Sequence, residues 1–166
     1  MPSSVPTVAL ENLGPGPSPV SLDELSALHD FLVVFLQRDH HCTNCRRQVQ
    51  SVADRVDSFR ERNAEPVSVV PESSDLVRKW QQSYTLPYPL LADPDAIIGE
   101  ALGQPVRFGP LGNWSDFLGR MPLVAIIDGR GDSPRIAYST AGRSTFDRPS
   151  IDDLLEQLDS IRATTP

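Results

Sequence analysis

The chain has 166 residues, 39% of them hydrophobic and 22% charged, which suits one domain with a sizeable core and is short for two domains of ordinary size. A net charge of −7 disfavours nucleic acid or anionic lipid as a partner, because both select for clustered cations, and no run approaches the roughly 20 apolar residues that span a bilayer. The start, MPSSVPTVAL, has neither the basic opening nor the apolar stretch of a secretory signal, so the expectation is a cytoplasmic protein.

Lys79 is the single lysine, and aspartate outnumbers glutamate. An acidic, lysine-poor surface fits concentrated salt, and a GC-rich coding sequence would also exchange Lys for Arg. Either origin leaves the chemistry untouched.

The proline-rich opening predicts a frayed N-terminus over residues 1–7, with the domain proper at 8–162 and a short loose end at 163–166. Val8-Ala9-Leu10 and Pro19-Val20-Ser21-Leu22 read as short strands around a turn at Gly14 to Pro19, and Ser21 is placed to cap a helical turn through Leu25. Phe31 to Leu36 is a continuous apolar run, as expected of a central strand covered on both faces. Beyond Cys45, residues Val49, Val52, Ala53, Val56 and Phe59 recur at helical spacing and predict one long helix with a buried face.

Val67 to Val70 reads as a second buried strand, and Pro71 to Asp75 as a loop and N-cap for a helix reaching about Tyr84. Strand, helix, strand in this order predicts a parallel pairing, which puts the end of the first strand where open α/β sheets hold ligands. Leu86 to Asp95 is extended and punctuated by prolines, and a short helix follows from Ala96 to Leu102. A glycine-rich stretch from Gly103 to Arg120, carrying Phe108, Trp114 and Phe117, reads as a lid or a packed insertion. Leu123 to Ile127 is the next buried strand, with Arg135 to Tyr138 as its antiparallel edge partner. Ser150 and Asp153 form a capping box for a last helix whose apolar face holds Ile151, Leu154, Leu155, Leu158 and Ile161. The expected fold class is α/β, a three-layer sandwich with a central mixed sheet flanked by helices.

The chemistry concentrates in Cys42-Thr43-Asn44-Cys45, which contains both cysteines of the chain. One helical turn brings positions i and i+3 together, so the two sulfurs can reach bonding distance. At a helix start, unpaired N–H groups and the positive end of the macrodipole favour thiolate, the nucleophilic form. A bridge over so small a loop removes little entropy from the unfolded chain, which makes stability a poor reason for it. His40, His41, Arg46 and Arg47 would lower a thiol pKa if turned toward sulfur, and Asp39 would oppose them. Pro122 directly precedes an apolar strand and, lacking an N–H, must occupy a strand start, an edge or a cis turn.

These residues resemble the peroxiredoxin-like branch of the thioredoxin superfamily, the relatives of alkyl hydroperoxide reductase and thiol-specific antioxidant. The resemblance rests on Phe35-Leu36-Gln37-Arg38 leading into the cysteines, on Val67 to Val70, on Leu86-Pro87-Tyr88-Pro89-Leu90-Leu91-Ala92-Asp93-Pro94-Asp95, and on Ile126-Ile127-Asp128-Gly129. It implies a thiol-dependent oxidoreductase that reduces peroxides or protein disulfides, draws electrons from a thioredoxin-like or other thiol donor, forms homodimers, and requires no further cofactor. It also implies that the three-layer sandwich is thioredoxin-like and that the Met121-Pro122 bond is cis and packs against the cysteines. The chain departs from the family's Pro-x-x-x-Thr-x-x-Cys motif: with Cys45 in register, Arg38 takes the proline position and Cys42 the threonine position. The family's later arginine falls at Pro122, leaving Arg120 as its nearest substitute. The candidate catalytic residues are therefore Cys42, Cys45, Pro122 and Arg120. The thioredoxin pattern nominates Cys42 as attacking thiol, and the peroxiredoxin register nominates Cys45.

Two other classes of function compete. His40, His41, Cys42 and Cys45 together offer zinc or iron ligands, which elemental analysis would reveal. A redox-inert interaction domain with merely buried cysteines would show two slowly reacting thiols.

Overall fold

The computed structural model describes residues 4–37, 43–103, 122–141 and 149–164. Its centre is a six-stranded mixed sheet built from β1 (Glu11–Asn12), β2 (Phe31–Leu36), β3 (Ala64–Val70), β4 (Leu90–Ala92), β5 (Leu123–Asp128) and β6 (Arg135–Ala141), in the order β1-β4-β3-β2-β5-β6. β2, β3 and β4 run parallel, while β5 and β6 are antiparallel to their neighbours and β1 to β4. The helices are α1 (Leu22–Ser26), α2 (Thr43–Asp54), α3 (Val56–Arg60), α4 (Ser74–Tyr84), α5 (Ile97–Ala101) and α6 (Ile151–Arg162).

All six residues of β2 and all six of β5 are buried, so alternate side chains feed two different cores. Phe31, Val33 and Phe35 join Val49, Val52, Trp80, Tyr88 and Leu154 on one face, and Leu32, Val34 and Leu36 join Leu22, Leu25, Leu91 and Ile98 on the other. This is the three-layer arrangement expected from the continuous apolar runs.

The main elements fall where the sequence places them, with several differences. β3 begins at Ala64 rather than Val67, because Ala64, Glu65 and Pro66 pair with Phe31, Leu32 and Val33. Glu65 is tolerated there because Arg60 grips both its carboxylate oxygens at 2.9 Å, and Pro66 because β4 reaches only Ser68 to Val70, leaving no ladder on that side for a missing N–H to break. The long helix after Cys45 is split at Arg55 (φ −113°, ψ 15°) into α2 and α3, although Val49, Val52, Val56 and Phe59 still share the buried face. β6 runs on to Ala141, and β5 includes Asp128.

The N-terminal strands shrink to a bridge between Leu10 and Val20 plus the two residues of β1, and Leu22 belongs to α1. The side chain of Asn12 replaces the missing ladder. Its amide donates to the carbonyls of Pro15 and Pro17, and its oxygen accepts from Gly14 and from Leu90 of β4. Prolines cannot donate, so the turn relies on polar side chains, and the Ser18 hydroxyl adds to Asn12 by accepting from its backbone N–H at 3.0 Å. Ser4 bridges Arg135 of β6, and Val5 is buried. Ser21 caps α1, Ser73 caps α4, and the capping box of Ser150 and Asp153 closes in both directions.

Candidate active site

β2 ends at Leu36, and Gln37 still joins the sheet by donating its N–H to the carbonyl of Val69 at 2.9 Å. Leu36 pairs with Leu123 of β5, so extending that register sets Pro122 opposite Gln37. Pro122 is buried and stands at the start of a strand, one of the positions a residue without an N–H can occupy. The chain then returns as α2, with Cys45 as its third residue. The sheet's topology thus brings Pro122, Gln37 and the start of the cysteine helix to one edge.

Cys45 is fully buried, packed in the core that contains Phe35, Val49, Val52 and Val124. It is held in a disulfide, and no cysteine among the described residues is free. Its place in the first turn of α2 puts it beside the N–H groups that lack partners within the helix.

Arg46 follows at once and swings away from the sheet edge onto α4, where its guanidinium carbon lies 5.9 Å from the centre of the Trp80 ring. Tyr84 meets the same ring edge-on at 6.2 Å. Arg46 therefore anchors the beginning of α2 to α4 through a cation–π contact. Arg47 is exposed. Cys42, His40, His41, Asp39, Arg38 and Arg120, the Met121-Pro122 bond, and the stretch from residue 104 to 121 with its three aromatic side chains lie outside the described residues. Among the described residues no cluster of three or more His, Cys, Asp or Glu is disposed to hold a metal.

Two polar groups near the cysteine helix escaped the sequence reading. Gln37 donates its amide to the Gln48 side chain on α2 at 3.3 Å. Tyr88, fully buried just before β4, donates its hydroxyl to the carbonyl of Val49 in α2 at 2.9 Å, and its oxygen accepts from the Ser68 hydroxyl at 3.2 Å. Burial pushes the Tyr88 phenol well above its ordinary pKa, against the opposing pull of Ser68, so the group remains a donor at any physiological pH. The Pro-aromatic-Pro pattern was the available signal for Tyr88. Nothing in the sequence named its partner.

The AhpC/TSA family model matches residues 3–131. The chain belongs to the AhpC/TSA family. It is accordingly a thiol-dependent peroxide-reducing enzyme of peroxiredoxin type with the thioredoxin-like fold. No curated protein matches the chain in sequence. Among solved structures, the reduced 2-Cys peroxiredoxin of Plasmodium vivax superposes with a TM-score of 0.77 at 16% identity, covering 96% of this chain and 94% of that one. The AhpC of Mycobacterium tuberculosis gives 0.73 at 19% identity over 96% and 91% of the two chains. Peroxiredoxin Q from Xanthomonas campestris gives 0.69 at 11% identity over 98% of each chain. At these identities the superpositions establish the fold. No helix among the described residues is long and apolar enough to cross a membrane.

Proposed function

We propose that Cys42 and Cys45 are the redox pair, with Cys42 as attacking thiolate and Cys45 as resolving thiol. The observation that carries this reading is Cys45 itself: bridged, fully buried, and in the first turn of the helix that leaves the carboxyl end of a parallel strand. Cys42 is the only other cysteine in the chain. A sulfur sealed in a core is badly placed to meet a peroxide from solvent and well placed to receive a neighbouring sulfur one turn away.

The Cys42 thiolate attacks one peroxide oxygen, the oxygen–oxygen bond breaks, and water or an alcohol departs with a proton. This leaves Cys42 as a sulfenic acid and the peroxide reduced by two electrons. Cys45 then attacks the Cys42 sulfur, the S–S bond forms, and the hydroxyl leaves as water. An external dithiol of the thioredoxin class reopens the bridge by exchange through a mixed disulfide and is itself oxidised. Pro122, next to Gln37 at the same edge, serves as the strand start against which the oxidised or mixed-disulfide partner lies, and Arg120 is the cation nearest in sequence to that point. The cycle runs in the cytoplasm, where the donor is kept reduced.

Substrate class is tested by supplying the protein with a dithiol reductant and following hydrogen peroxide loss and insulin reduction in parallel. The expected result is catalytic peroxide consumption, well above the rate of reductant alone. Insulin reduction without peroxide consumption would move the protein from peroxidase to disulfide reductase.

A further inference from the structure

α2 carries the cysteine chemistry, yet most of its attachment to the sheet is apolar packing by Cys45, Val49 and Val52, which is non-directional and does not fix how the helix is rotated. Formation of a bridge needs Cβ atoms about 3.5–4.5 Å apart, so a small rotation of the first turns is enough to move the sulfurs out of register. A directional tie one turn beyond Cys45 comes from the buried relay in which Ser68 donates to Tyr88 and Tyr88 donates to the Val49 carbonyl. The relay is rigidly mounted. Ser68 sits in β3 between Phe35 of β2 and Leu90 of β4, and its N–H is donated to the carbonyl of Pro89, which fixes the residue next to Tyr88. A helix carbonyl has a second lone pair, so Val49 can accept from Tyr88 without surrendering its helical bond. A phenylalanine would fill the same space, and the hydroxyl serves only this connection.

We propose that Tyr88 is a positioning residue, whose hydroxyl on the Val49 carbonyl sets the rotational phase of α2 and so favours the bridged over the open state of the cysteine pair. The proposal rests on Cys42 and Cys45 being the redox pair. Ser68 supports it by polarising the phenol, because hydrogen bonds in a chain strengthen one another.

The test equilibrates wild type, Tyr88→Phe, Ser68→Ala and the control Tyr84→Phe with mixtures of reduced and oxidised glutathione. In this equilibrium the protein dithiol and oxidised glutathione yield protein disulfide and two reduced glutathiones. Loss of one such hydrogen bond corresponds to about a fivefold fall in the oxidation constant of Tyr88→Phe. Ser68→Ala should shift it in the same direction by about twofold, and Tyr84→Phe should leave it at the wild-type value. Ser68→Ala provides the reading if Tyr88→Phe does not fold. A purely structural role would lower the melting temperature while leaving the oxidation constant unchanged, and that result for both variants overturns the proposal. Failure of wild type itself to exchange with glutathione overturns the redox pair and the positioning role together, and is distinguishable because the control fails as well.

Discussion

Cys42→Ser is expected to lower peroxide turnover by more than about a hundredfold, because a serine hydroxyl has no accessible anion at neutral pH with which to attack the oxygen–oxygen bond. Cys45→Ser should behave differently. Its Cys42 still attacks, so one equivalent of peroxide is consumed in a burst and the protein gains one oxygen as a sulfenic acid that a dione reagent traps. Turnover then depends on how fast an external thiol resolves that acid. The asymmetry follows from burial, since Cys45 has no exposed surface from which to meet a substrate. Mass spectrometry of both variants after a single peroxide addition checks the assignment. An oxygen adduct on Cys42→Ser and none on Cys45→Ser would reverse the two roles and restore the family register that nominates Cys45.

The second large effect lies at the opposite edge of the sheet. Asp128 ends β5 with its side chain fully enclosed and accepts from the Arg130 backbone and guanidinium and from Arg135, all at 3.0 Å. Arg130 in turn reaches the carbonyls of Ile161 and Thr164 at the end of α6 and stacks 5.0 Å from the centre of the Phe31 ring, with Arg162 at 4.9 Å. Arg162 continues the network to Asp30 and to the carbonyl of Arg62. One carboxylate thus fastens β5, β6 and the last helix to the start of β2.

Asp128→Asn removes the charge these arginines surround and is expected to cost about 3 kcal/mol, a fall in Tm on the order of 10 °C. Burial alone would raise the Asp128 pKa, but the hydrogen bonds and charges of Arg130 and Arg135 outweigh it and hold the carboxyl below its ordinary value of 3.8. A group whose pKa is depressed by folding stabilises the fold above its unfolded pKa and loses that contribution as pH falls through the folded one. The gap between wild type and Asp128→Asn should therefore be complete above about pH 5 and close as pH drops below about 4. Urea unfolding of both proteins across pH 3 to 7 measures this gap directly, and a constant gap across that range would show that the charge is not what Asp128 contributes.

Signals confined to one stretch of chain were legible. The apolar runs of β2 and β5 and the Ser150–Asp153 box depend on neighbours in sequence, and each element formed there. The split at Arg55 was not legible, because Val49, Val52, Val56 and Phe59 keep helical spacing across it and the pattern records the buried face rather than the backbone. The N-terminal strands were overestimated because the side chains of Asn12 and Ser18 make hydrogen bonds that a longer ladder would otherwise make. Near the candidate site, the positions of Pro122 just before β5 and of Cys45 at the start of a helix could be read, since both follow from the order of elements. Tyr88 over Val49 and Arg46 on Trp80 could not. Each joins groups far apart in the chain, and periodicity holds no record of which of them meet.

Thiol titration gives the most direct test of a dithiol–disulfide cycle at Cys42 and Cys45: fully reduced protein is mixed with one equivalent of hydrogen peroxide, quenched with an alkylating reagent and weighed. Both thiols should vanish together, with the chain lighter by two hydrogens and carrying no added oxygen. Two alkylated cysteines after peroxide has been given time to react would contradict the account.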